Sequence, residues 1–266
     1  MKTKKLCKSL STISAVIFVA TEALLFYLIH ISRADTEISL RYLSIQMSAL
    51  FALLFFALRS AYRIADGKST GEALFSKDSN IFICLAMLFT LGADYFLVAT
   101  PEIERMSGMI FFMGTQICLC LHLVTAEEDK RKRNIHLATR ALLMVVLVVA
   151  TSLVLGNEAN GLAYVSVIYY ANLLASLIFA SRDKRGGVLL AIGLALFALC
   201  DINVGLAVLN DLYTGGFPEG SLLHSLIYSG IDLAWVFYLP SQTIIPLVIL
   251  AENKNSPAEK ANPENK

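Results

Sequence analysis

The 266 residues are 56% hydrophobic and only 16% charged, with a mean hydropathy of +0.65 and a net charge of +1. Soluble domains carry about 45–50% apolar and about 25% charged residues, so a water-soluble globular fold is excluded. The surplus falls in apolar blocks of about 20 residues, enough to cross a hydrocarbon core as helices, and they lack the alternation of a membrane β-barrel. The chain reads as an all-α polytopic membrane protein, a bundle of eight transmembrane helices.

In chain order, the basic start MKTKKLCKSL leads into an apolar run longer than the core of a secretory signal and without a clear cleavage site, which predicts a retained first helix over about 9–31 carrying Glu22. A second helix is expected over about 38–58, followed by a polar loop from Arg59 to Asn80. The third, about 80–99, carries Asp94 and Tyr95 and ends ahead of Pro101, because the residue before proline is pushed out of the helical region. The fourth, about 106–125, holds Gln116. A charged loop with the run Lys130–Arg133 separates it from a fifth helix over about 139–156. The sixth, about 161–181, carries Asn172. The seventh, about 187–209, carries Asp201 and Asn203. The eighth is expected as one helix over about 224–251, with Asp232, Trp235, Tyr238 and Gln242, before a polar cytoplasmic tail from 252.

Cytoplasmic segments of membrane proteins are rich in Lys and Arg. With the N-terminus inside and eight crossings, every one of the 22 Lys and Arg except Arg33, Arg41 and Arg105 falls on the inner side. The expected orientation therefore has both termini in the cytoplasm. The third and seventh helices then run parallel, so Asp94 and Asp201 reach similar depths in the outer half of the bilayer.

Carboxylates in a membrane span are costly, about 2.5–3.5 kcal/mol at the centre on insertion scales, and usually face a cavity or a partner. Asp94 lies in LFTLGADYFLV and Asp201 in LFALCDINVGL, neither with a cation within one turn. Two carboxyl groups sharing a buried site tend to divide into one protonated acid and one ionised base, a pair suited to a hydrolysis that needs both proton donation and water activation. These two are the catalytic candidates. Glu22, Tyr95, Gln116, Asn172, Asn203, Tyr238 and Gln242 are the candidates for substrate binding. The four histidines are scattered without an H-x-x-x-H or H-E-x-x-H pair, so no metal or cofactor is expected. No nucleic-acid partner is expected either, since the run Lys130–Arg133 reads as a loop facing lipid headgroups.

LFTLGADYFLV, with Gly108-Met109 and the helix that reaches Gln116, resembles the first aspartate motif and following helix of the YhhN-like lysoplasmalogenase family. LFALCDINVGL resembles its second aspartate motif, and FYLPSQTIIPL its closing stretch. Ala93 stands where the family usually has glycine, Cys200 where it usually has serine, and Pro246 where a small apolar residue is common. The resemblance implies an eight-helix integral membrane hydrolase that cleaves the vinyl ether of lysoplasmalogen, a lysophospholipid, to a fatty aldehyde and a glycerophospho-base, with Asp94 and Asp201 as its catalytic pair. An alternative reading makes the same carboxylates protonation or binding sites of a membrane transporter or lipid-binding protein.

Overall fold

The computed structural model describes residues 2–32, 34–67, 78–100, 104–182, 187–212, 216–227 and 232–251. Within them the chain is helical, with no strand: α1 (Lys2–Ile31), α2 (Ala34–Ala65), α3 (Ile81–Asp94) continued by a π-helical turn (Tyr95–Ala99), α4 (Arg105–Ala126), α5 (Lys130–Leu155), α6 (Gly161–Ala180), α7 (Gly187–Leu212), a short α8 (Leu222–Ile227) and α9 (Leu233–Ala251). All but α8 are long and apolar enough to cross a membrane, giving eight candidate spans.

Burial departs from that of a soluble protein. Glu22, Thr90, Asp94, Gln116, Ser176 and Gln242 are buried, while Leu153 and Val154 are about four-fifths exposed, at 79% and 81%. An apolar exterior that also shelters polar groups within is the arrangement expected when lipid is the solvent. The protein is an integral, multi-pass membrane protein.

The apolar core is drawn from most of the spans and includes Phe18, Phe55, Ile83, Met87, Leu119, Leu173, Leu194, Phe197 and Ile249. Small residues let helices approach. A Cβ added at Gly92 would lie 2.4 Å from the ring of Phe111, one at Gly114 2.5 Å from that of Phe89, and one at Gly108 2.5 Å from Leu97. These glycines knit α3 to α4, with a hydrogen bond of 3.1 Å between the Thr90 and Thr115 hydroxyls beside them. Close packing through small residues is the main source of helix association where the hydrophobic effect is absent. α7 and α9 meet in the same way, with Ser241 donating to the Gly193 carbonyl at 2.8 Å.

The start of α1, the end of α2 and the end of α9 share one face of the bundle. Lys4 pairs with Asp66 at 2.6 Å, and Arg59 donates to the Ile249 carbonyl at 2.8 Å. On that face Asp78, just ahead of α3, accepts from Arg63 at 2.6 Å and from Arg59 at 3.4 Å. This latch ties α2, α3 and α9 together.

Three sequence expectations are corrected. The charged run after α4 is helix rather than loop: α5 starts at Lys130, where Asp129 caps it by accepting from the Arg131 amide at 2.8 Å. α5 therefore takes in Arg140, which is 2% exposed and packs against α6. Likewise α2 continues past 58 to Ala65, so Arg59 and Arg63 are helical, positioned by their pairing with Asp78. The single helix expected over 224–251 is two, α8 and α9, and residues 228–231 between them lie outside the described residues. The tail from 252 lies outside them too.

Candidate active site

The two aspartates sit on α3 and α7, and each is held by a tyrosine from a neighbouring helix. Tyr238 of α9 donates its phenol to Asp94 Oδ2. Tyr169 of α6 donates to Asp201 Oδ2 at 2.7 Å. Both tyrosines are buried, Asp94 is 3% exposed, and Asp201 is only partly buried. Among the described residues, each carboxyl group thus has one oxygen engaged by a phenol and the other unengaged.

Aromatic rings join the two halves. Phe197, one turn before Asp201, stands 5.5 Å from the Tyr238 ring and 6.5 Å from that of Tyr169. Phe112 of α4 closes the group at 5.6 Å from Phe197 and 5.8 Å from Tyr169. The tyrosines that hold the two carboxyl groups are thus bridged by one aromatic cluster. Tyr42 of α2 has its ring 6.4 Å from that of Tyr95, the residue after Asp94.

Local backbone geometry sets the direction of Asp94. It is the last α-helical residue of α3, immediately before the π turn Tyr95–Ala99. Such π turns are uncommon and recur at functional sites. Here Asp94 faces the interior, while Tyr95, its neighbour, is 47% exposed. On α9, Pro240 has no N–H to give, so the Val236 carbonyl lacks its helical donor close to Tyr238.

One turn further along α9 and α4, Gln242 and Gln116 are fully buried, and neither amide has a hydrogen-bond partner among the described residues. Gln242 follows Tyr238 by four residues, and Gln116 follows Phe112 by four, so both lie on the site-facing sides of their helices. An unpaired buried amide costs about 1–3 kcal/mol.

The other sequence candidates fall elsewhere. Glu22 accepts from Ser44 and, at 3.4 Å, from Ser48, within the α1–α2 seam. Asn172 accepts from Arg140 at 3.2 Å and donates to the Ile168 carbonyl at 3.0 Å. Asn203 donates to the Leu199 carbonyl of its own helix at 2.7 Å. The structure thus gathers Asp94, Asp201 and Tyr238, with Tyr95 at the rim and the two glutamines one turn away. Tyr42, Tyr169 and Cys200 were missed as site residues. For Cys200, its place directly before Asp201 was a signal; tyrosines in apolar spans carry little. Among the described residues, no group of three or more His, Cys, Asp and Glu gathers as metal ligands would.

The fold is a bundle of eight membrane-length helices that holds two carboxyl groups, each bonded by a tyrosine from a neighbouring helix. The YhhN family model matches residues 43–230, more than half of the chain and both aspartates, and the chain belongs to that family. No curated protein and no solved structure matches it.

Proposed function

We propose that the protein hydrolyses the vinyl ether of a lysoplasmalogen, releasing a fatty aldehyde and the glycerophospho-base. The observation that carries this reading is the pair of carboxyl groups in one aromatic-walled centre, each with one oxygen held by a phenol and one unengaged. Membership of the YhhN family is consistent with a hydrolase. The charge asymmetry of the sequence supports an orientation with both termini in the cytoplasm and the centre in the outer half of the bilayer.

The reaction needs a proton delivered to the alkenyl carbon remote from oxygen, which turns the adjoining carbon and ether oxygen into an oxocarbenium ion. Water then adds to that carbon and loses a proton, and the resulting hemiacetal collapses to aldehyde and alcohol. Asp94, the more enclosed of the two, is assigned as the acid. Asp201, which keeps partial exposure, is assigned as the base that receives the proton of the attacking water. Phe112 and Phe197 supply the apolar surface beside which the alkenyl chain is assigned. The amides of Gln116 and Gln242 hold water or substrate oxygens.

The test is mass spectrometry of the products from lysoplasmalogen and purified protein in D2O. Aldehyde carrying one deuterium on the carbon next to the carbonyl is the expected product, because protonation at carbon installs it. The saturated alkyl-ether analogue should release nothing. If well-folded protein forms no aldehyde from choline or ethanolamine lipids, the hydrolase reading falls.

The phenols make a graded prediction. Tyr238→Phe and Tyr169→Phe each remove one hydrogen bond to a carboxyl group, a contact of about 1.5–3 kcal/mol. Aldehyde release should slow about 10- to 100-fold in each variant, with the protein still folded. Full activity in both would remove the tyrosines from the machinery.

A further inference from the structure

We infer that Arg41, Trp235 and Asp232 form a headgroup subsite that takes a phosphate ester bearing a cationic amine. This inference rests on the proposed action on a single-chain phospholipid and names how that lipid is anchored. Arg41 lies near the start of α2 and Asp232 immediately ahead of α9. Arg41 stacks over the Trp235 indole at 4.5 Å. Trp235 in turn meets the Tyr238 ring edge-on at 5.3 Å, and Tyr238 holds Asp94. A line of direct contacts therefore leads from the guanidinium to the catalytic carboxyl group.

The spacing fits the chemistry. Trp235 precedes Tyr238 by three residues, which places the guanidinium about one helical turn, roughly 5 Å, outside the carboxyl layer. In a glycerophospholipid the glycerol unit separates the phosphate from the sn-1 ether oxygen by a similar reach. A phosphate on Arg41 thus sets the ether bond beside Asp94 and Asp201. Tyr42, next in sequence to Arg41, has its ring 6.4 Å from that of Tyr95, the neighbour of Asp94.

The hydrogen bonding of Arg41 leaves room for such an anion. Its ion pairs, to Glu37 and to Asp232 at 2.8 Å, both use Nη2. Nε is buried and has no hydrogen-bond partner among the described residues. Guanidinium groups are the usual anchors for phosphate because their donors form a planar fork. Arg41, Glu37 and Asp232 together carry a net negative charge, unfavourable for a free phosphate and favourable for a zwitterion. Asp232, with a side chain 47% exposed, is positioned to meet the amine. The Trp235 ring face adds the cation–π attraction that quaternary ammonium groups favour.

Trp235 is the chain's only tryptophan, so its fluorescence reports on this subsite. Purified full-length protein in neutral-detergent micelles would be titrated with hexadecyl glyceryl ether, its phosphate monoester and its phosphocholine ester. None carries a vinyl ether, so binding is read independently of hydrolysis, and a failed aldehyde assay leaves this measurement intact. The phosphocholine ester should saturate the emission change at a concentration about tenfold lower than the phosphate-free ether, with the monoester between them. Arg41→Gln should abolish the advantage of the phosphocholine ester over the phosphate-free ether. Asp232→Asn should abolish its advantage over the monoester, and Asp94→Asn should keep both. Equal binding of the three lipids by the wild-type protein, which depends on no variant folding, would overturn the subsite. So would a phosphocholine preference that survives in folded Arg41→Gln.

Discussion

Asp94→Asn and Asp201→Asn should each eliminate aldehyde release, with a loss of at least about 100-fold, the lower end of what general acid–base groups contribute. Asparagine keeps the size of the side chain and an oxygen that accepts from Tyr238 or Tyr169, so the phenol contact and the packing of Phe112 and Phe197 persist. What disappears is the exchangeable proton at Asp94 or the proton acceptor at Asp201. The measurement is a time course of aldehyde by mass spectrometry, with size-exclusion chromatography to verify that each variant remains monodisperse. A variant that retains more than about a tenth of the wild-type rate would remove that aspartate from the reaction. Because the proposed steps use the two groups in sequence, the double variant should be little slower than either single one.

The second large effect concerns stability rather than turnover. Asp78→Ala removes the carboxylate that Arg59 and Arg63 both meet in the latch, and breaking a buried ion pair from one side costs about 3–5 kcal/mol. Arg59 is 9% exposed and Asp78 6%, while the more exposed Arg63 adds less. The loss should appear in unfolding by SDS titration, and a change below about 1 kcal/mol, the range of an exposed pair, would show the latch to be ornamental. The pH dependence has a definite sign. Burial alone would raise the Asp78 pKa, but Arg59, the amide and side chain of Asn80, and Arg63 outweigh it and hold it below the ordinary aspartate value. A depressed carboxylate contributes its stability above the unfolded pKa, about 3.9, and loses it only as pH falls through the lower folded value. The stability difference between wild type and Asp78→Ala should therefore stay flat from neutral pH down to about pH 5 and shrink only in stronger acid.

The eight spans were legible because apolar blocks of membrane length are hard to disguise. Their ends were not. Lys130–Arg133 looks like a loop by charge, yet helix continues through charged residues once it has left the hydrocarbon, and Asp129 supplies the cap. Treating Arg140 as loop also hid the partner of Asn172. Arg140 donates to His136 Nε2 at 3.0 Å, to Asn172, and to Ser176 at 2.9 Å, and the i, i+4 spacing of His136 and Arg140 on a common helix face was the available sign. The aspartates stood out because ionisable groups in apolar spans are costly. Tyr169 did not, since a tyrosine in a span usually packs or anchors, and only the fold brings its hydroxyl to Asp201. Glu22 looked like a third member by depth, but depth does not give azimuth, and its face of α1 meets the serines of α2.

The π turn after Asp94 has a consequence for how α3 is read along its length. Each residue of an α-helix advances about 100° around the axis, and a π turn accommodates one residue more than an α turn over the same hydrogen-bonded stretch. Tyr95–Ala99 therefore acts as a phase shifter. The face that α3 offers to α4 below Asp94 is not the face its heptad arithmetic would continue above it. The helix can aim a carboxyl group into the bundle on one side of the junction and display Tyr95 towards the rim on the other. Rotation of the outer turn is thereby separated from the packing that Gly92 and Thr90 fix beneath it.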